Sequence, residues 1–238
     1  MTAGEHPAPE AAGIPPFPTL GGEAPDVPDV LDEPANPPTT RRRGPYKKTQ
    51  ATRDAILRVA MEVFAVHGYN AGSLREIGER VGLDRSSLLH HFPTKSDLLL
   101  AVMHERDRRA DEILASAHPD TADDLPRAIL ALAEHNADTP GVIALYSLLA
   151  AESVTPDHPL GEYFTERTRR VRAGLETWLA QAEADGMLRD GVSASVAATS
   201  FFALWEGVQL HWVIDPERVD VVATLRGYLD LIFRDWTS

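Results

Sequence analysis

The chain has no cysteine. That absence excludes a disulfide framework, a thiolate metal site and thiol catalysis, and it is compatible with a reducing cytoplasm. Long apolar runs are missing too: no stretch of about 18 apolar residues appears, which argues against a membrane-crossing helix. The N-terminus has no basic region leading into an apolar core, so no signal peptide is expected. Alternating β-branched residues and hairpin turns are also missing, so the expectation is an all-α fold. A phosphate-cradling glycine loop, HExxH, Gly-x-Ser-x-Gly and carboxylates at ligand spacing are all absent. A helical enzyme is therefore disfavoured, and neither metal nor cofactor is expected.

What is present is unevenly distributed. At 238 residues and 43% hydrophobic, the chain is long enough for one large domain or two modest ones. The net charge of −13 divides into −7 over residues 1–40, +6 over 41–95 and −12 over 96–238. A basic segment between acidic ones is a local footprint for phosphates, and the acidic remainder repels DNA and orients its approach. Residues 1–40 also hold ten of the eighteen prolines. So little apolar surface cannot offset the entropy of ordering, and the segment reads as a disordered acidic leader. It is either solvated without a role or an arm that competes with DNA for the neighbouring cations. Those cations, Arg41, Arg42, Arg43, Lys47 and Lys48, form a basic arm over 41–48: a solvated linker, or a strand along a minor groove.

Residues 49–95 carry the organising feature. Ile56, Leu57, Ala60, Val63 and Phe64 recur at helical spacing before Gly68 as a stop. Over 73–92 a helix-turn-helix follows. Ser73 with Glu76 forms a capping box, Leu74, Ile77 and Val81 share one face, Gly82 ends the first helix and Asp84 caps the second. From Asp84 the inward face is Leu88, His91 and Phe92, while Arg85, Ser86, Leu89 and His90 point the other way. One cation, hydroxyls and a single apolar side chain at a helix N-terminus suit a DNA major groove. Arg85, Ser86, Ser87 and His90 are candidates for base or groove contact, and Lys95 and the amides around Ser73 for phosphate. His91 reads as a core or backbone-bonded histidine, and its neighbour His90 diverges from it too far to share a metal.

The run Ser87, Leu88, Leu89, His90, His91, Phe92, Pro93 and Lys95, with its flanking helices, resembles the signature of the TetR-type transcriptional regulators over roughly residues 53–103. Leu89 stands where that family usually has a phosphate-bonding Tyr, so a thymine methyl or sugar is its expected neighbour. The resemblance implies a three-helix DNA-binding domain, then a helical effector-binding and dimerisation domain over 96–238. It also implies a palindromic double-stranded operator, a homodimer and a small-molecule effector that releases a repressor. The alternative is an effector-independent architectural DNA-binding protein.

In that second half, Thr94 with Asp97 opens a long helix to about residue 118, with Leu98, Leu99, Val102, Met103, Arg106 and Ala110 on one side. Further helices are expected at about 124–138 capped by Thr121, 139–152, 162–183, 193–214, and 215–234 opened by Asp215 and Pro216. The basic stretch TERTRRVR reads as a solvated face, or less simply as an anionic effector contact. The last two helices, about 194–214 and 216–234, carry more apolar width than one core uses, and the resemblance implies that they pair with a second copy. Residues that could line an effector pocket are His135, Tyr146, Trp178, Trp205, Gln209 and His211.

Overall fold

The computed structural model describes residues 20, 44–117, 124–234 and 236, with the side chains of 44–48 outside that description. Among the described residues the chain is all-α: nine helices and one isolated bridge between Leu188 and Phe233. They are α1 Gly44–Ala71, α2 Leu74–Val81, α3 Arg85–His91, α4 Lys95–Ser116, α5 Asp124–Ala137, α6 Pro140–Glu152, α7 Gly161–Ala184, α8 Ala194–Ile214 and α9 Val221–Ile232. None is long and apolar enough to cross a membrane.

Several boundaries depart from the sequence reading. The first helix begins at Gly44, inside the expected arm; Pro45 is tolerated there because first-turn amides have no intrahelical partner. Gly68 breaks the helical path at φ 72°, ψ 173°, and one more turn follows it. The Ser73–Glu76 box is not formed. Ser73 Oγ accepts from the Arg75 amide at 3.2 Å, and Glu76 faces His67 across 3.7 Å instead. The final helix starts at Val221, because residues from Asp215 coil into turns and Asp220 accepts the Ala223 amide at 2.8 Å. Ser193 stands at the α8 cap without a side-chain bond. Thr121 lies outside the described residues.

Other local signals hold. Gly82 ends α2 in the left-handed region, Asp84 accepts the Ser87 amide at 2.7 Å, and Thr94 and Asp97 form the reciprocal box that opens α4. Gly78 is needed for close approach: a Cβ there would lie 2.7 Å from the Leu83 carbonyl oxygen, so the turn folds back on α2 only over a glycine.

Two apolar cores result. One holds Ile56, Val63 and Phe64 of α1, Ile77, Leu88, Phe92 and the first half of α4, and continues into Leu145, Leu149, Tyr163 and Phe164 of α6 and α7. The other gathers Ala110 and Leu114 of α4 with α5, the rest of α7, α8 and α9. The helix α4, about 33 Å long at 1.5 Å per residue, runs through both. Where it passes from one to the other it buries Arg106 and Asp107, the latter completely.

Asp107 Oδ1 accepts from Arg106 Nη1 and Arg167 Nε, each at 3.1 Å, and Oδ2 accepts from the Tyr163 hydroxyl at 2.7 Å. Arg167 Nη1 donates to the Tyr146 hydroxyl at 2.6 Å, which donates to Glu206 Oε1 at 3.1 Å. Burial pushes both tyrosines above the ordinary phenol range, so they remain protonated donors. Thr165, Glu166, Thr168, Arg169 and Arg172 are exposed, as a solvated face requires, but Arg167 in the same stretch is 3% exposed and departs from that reading. It shares the inward register of Phe164 and Val171, and there a guanidinium is held by a buried carboxylate.

Four outcomes follow for stability. Asp107→Asn leaves the buried Arg167 with only the more distant Glu206, 3.7 Å from its Nη1, as counter-charge and should cost about 3–5 kcal/mol in urea unfolding, whereas Glu79→Gln in the exposed Arg75–Glu79 pair should cost under about 1 kcal/mol. Gly78→Ala should cost about 1–3 kcal/mol by overpacking the turn. Burial lowers the His104 pKa below its ordinary 6.5, so the unfolded chain takes up that proton at higher pH than the folded one. Stability should therefore fall as pH drops below about 6.5, less steeply in His104→Gln, as read by urea midpoints across pH.

Candidate functional site

The outer face of α3 is assembled by what holds its inner face. Leu88 and Phe92 are buried, and the Arg53 guanidinium lies 4.4 Å from the Phe92 ring while its Nη1 donates to the His91 carbonyl at 2.8 Å. With its C-terminal end fixed to α1, the short helix presents Arg85, Ser86 and His90 exposed, and Ser87 and Leu89 half-buried beside them. His91 is half-buried and, first through burial and then through the nearby His90 and Arg53, sits below the ordinary histidine pKa; this agrees with its inward assignment. Ser73 is exposed at the start of α2.

Lys95 is placed differently from the phosphate-facing role expected of it. Its Nζ donates to the Asn70 carbonyl at 3.1 Å and sits 4.7 Å from the Tyr69 ring, so it ties the end of α1 to the start of α4. Burial lowers its pKa. Two of its three donors are not accounted for by that bond. Residues 41–43 lie outside the described residues. Lys47 and Lys48 are on helical backbone, not on an extended arm.

Inside the second core is a cavity of about 40 Å³. Leu114, Ile129, Leu132, Val171, Leu175, Phe201 and Trp205 give it apolar walls, and Arg106, Asn136 and Arg167 add polar groups. Arg106 Nε is buried and has no hydrogen-bond partner among the described residues. Asn136 donates to the buried Gln209 side chain at 3.1 Å, which in turn donates to the Trp205 carbonyl at 3.0 Å.

Of the six expected pocket residues, Trp205 lines this cavity and Gln209 braces its wall. Tyr146 belongs to the Asp107 network, and Trp178 packs 5.4 Å from Phe233 without reaching the cavity. His135 and His211 are exposed and are withdrawn, since each falls on the solvent side of its helix. Arg106, Asn136 and Arg167 were missed as pocket residues. For the two arginines a signal existed: each recurs at the spacing of an apolar inward face, where a cation has to be paired. Among the described residues no cluster of three metal-ligating side chains occurs.

Comparison with known proteins agrees with this geometry. Residues 56–102 match the family model for bacterial regulatory proteins of the tetR family, and residues 119–234 match that of the BetI-type transcriptional repressor C-terminal domain. The repressor AcnR of Corynebacterium diphtheriae is 40% identical over 63 residues, 26% of this chain but only 33% of that protein. The repressor BepR of Brucella suis is 27% identical over 177 residues, covering 72% and 85%. A solved complex of SmeT, a Stenotrophomonas maltophilia repressor, with triclosan superposes with a TM-score of 0.66 at 25% identity, over 78% of this chain and 93% of that one. On the two family models, the matching repressors and the shared fold, the chain belongs to the TetR family of bacterial regulatory proteins.

Proposed function

We propose that the protein is a homodimeric repressor that grips a palindromic double-stranded operator through paired α3 helices and lets go when a small molecule enters the α4–α8 cavity. The observation that carries this reading is the exposed Arg85, Ser86 and His90 face on a helix whose opposite side is locked into a core shared with α4. Arg85 can donate two bonds to guanine, Ser73 and Ser87 serve phosphates, Leu89 meets a sugar or thymine methyl, residues 41–43 enter the minor groove, and Lys47, Lys48 and the Lys95 donors not used on Asn70 add positive charge near the phosphates. Residues 49–95 are the reading unit, 96–238 the effector and dimer unit, and cytoplasmic operation accords with both.

Dimerisation is supported by what α8 and α9 leave uncovered. Val196, Leu210 and Ile214 form an exposed stripe on α8 with the small Ala203 and Gly207 between them, and Leu231 on α9 is 71% exposed. The spacing 196, 203, 207, 210, 214 is that of one helical face, and small residues permit close helix approach. A palindrome needs two copies of α3, and a two-fold pairing of this stripe supplies them.

The effector reading is supported by a cavity of apolar walls with a few convergent polar groups, and by the triclosan held in the related SmeT complex. An apolar molecule with one acceptor group, able to take the Arg106 Nε hydrogen, fits those walls. Release follows if the effector binds better to an arrangement whose recognition helices are wrongly spaced for successive major grooves. The architectural alternative leaves this second cavity-bearing core without a purpose.

Footprinting on the region upstream of the gene tests the reading: a protected palindrome is expected, and an unprotected region at modest salt removes it. Arg85→Ala should lose about 1–3 kcal/mol of operator binding and relax base preference at one position of each half-site. Replacing Arg41, Arg42 and Arg43 by Ala should flatten the dependence of log affinity on log salt by about 0.9 per lost phosphate contact. Leu210→Glu with Leu231→Glu should give a monomer in analytical ultracentrifugation that no longer protects the palindrome.

A further inference from the structure

One wall of the cavity in the second core comes from far outside the helices that form it. Leu20 comes from the proline-rich acidic segment, yet it is 6% exposed and belongs to the second core. It lines the cavity together with Ala110 and Leu114 of α4, Val171 and Leu175 of α7, and Phe201 of α8. Both of its backbone groups are held by side chains from different helices. Its N–H donates to Asp111 Oδ1 on α4, and its carbonyl accepts from Arg170 Nη2 on α7 at 2.6 Å. That pairing is the kind made to a bound peptide: two directional backbone bonds set the position and one apolar side chain enters the pocket. The chain between residues 20 and 44 can span up to roughly 80 Å when extended, so its attachment to α1 does not prevent this placement.

We propose that Leu20 is an intramolecular occupant of the effector cavity, and that an effector binds only by displacing it. The proposal rests on the reading of this cavity as the effector site. It explains the small free volume, about 40 Å³, in a site lined by Phe201, Phe202 and Trp205: the remainder of the pocket is filled by the leucine. Its consequence is a threshold. Effector affinity is reduced by the fraction of molecules in which Leu20 is seated, so ligands too weak to compete leave the protein on its operator. Asp111 and Arg170 make the seat selective for backbone, since a carboxylate offers an acceptor to an N–H and a guanidinium offers a donor to a carbonyl.

Because the chain has no cysteine, Leu20→Cys places a unique thiol at this position in the full-length protein. Its alkylation by N-ethylmaleimide should run at least about tenfold slower in the folded protein than in urea, as expected of a buried thiol. Equal rates would overturn the proposal. As a second measurement, 1-anilinonaphthalene-8-sulfonate, an apolar body with an anionic head, is titrated into full-length wild type and Leu20→Asp. Unseating a buried leucine should tighten probe binding about tenfold, and identical affinities would sink the idea. Operator binding of both proteins is measured alongside. Loss of DNA binding by wild type would count against the regulator reading alone, while the thiol rate still decides whether Leu20 is seated, including where Leu20→Asp fails to fold.

Discussion

The buried carboxylate of Asp107 is the constraint from which the arrangement of the helices follows. A fully desolvated anion is tolerated only when its lone pairs are satisfied, and here three donors do so: Arg106 from its own helix, and Tyr163 and Arg167 from α7. Arg167 then reaches Tyr146 on α6, and Tyr146 reaches Glu206 on α8. Four helices are thus registered against one another by directional bonds, where apolar packing alone would allow them to slide. Apolar contact sets that the helices pack; this network sets how.

Its position gives it a second consequence. Asp107 lies where α4 leaves the core shared with the helix-turn-helix and enters the core that holds the cavity, and both Arg106 and Arg167 line that cavity. Anything that enters the cavity and engages Arg106 acts on the residue next to Asp107. The coupling between the two halves therefore needs no long chain of intermediates: the cavity wall and the crossover of the linking helix are the same residues.

The parts of the fold that were legible in the sequence are those written in local code. Gly82 in the left-handed region, Asp84 on the Ser87 amide and Thr94 with Asp97 are contacts within three residues, and each is nearly determined by residue type. The face of α3 was legible for the same reason. What failed depended on partners far along the chain. Arg167 looks solvated inside a basic run until Asp107, sixty residues earlier, is brought against it. Asp215 and Pro216 are as good a helix start as Asp220 in isolation; the choice between them lies in the packing of Val221 and Leu225. His135 and His211 were chosen by type, and their helices turn them to solvent. Leu20 carried no periodicity at all, because a single seated side chain leaves no pattern in its neighbours.

The lever that joins these parts is sensitive because it is long. From Asp107 back to Lys95 the helix measures about 18 Å at 1.5 Å per residue. Pivoting it by about 5° about the Asp107 bonds moves its N-terminal end by roughly 1.5 Å, a displacement of the size seen in interface helix shifts. Hydrogen bonds to base edges tolerate only about 0.5 Å of spread in donor–acceptor distance. The end that moves is joined to the recognition helix by rigid contacts: Lys95 to Asn70, Tyr69 to Ser96, and Leu98 and Leu99 within the same core as Leu88. A rotation too small to disturb packing around the cavity is thus large enough to shift the exposed face of α3 by more than a hydrogen bond tolerates. Tight packing at the pivot and tight tolerance at the tip are both required. A softer crossover than the Asp107 network would absorb the motion before it reached α3.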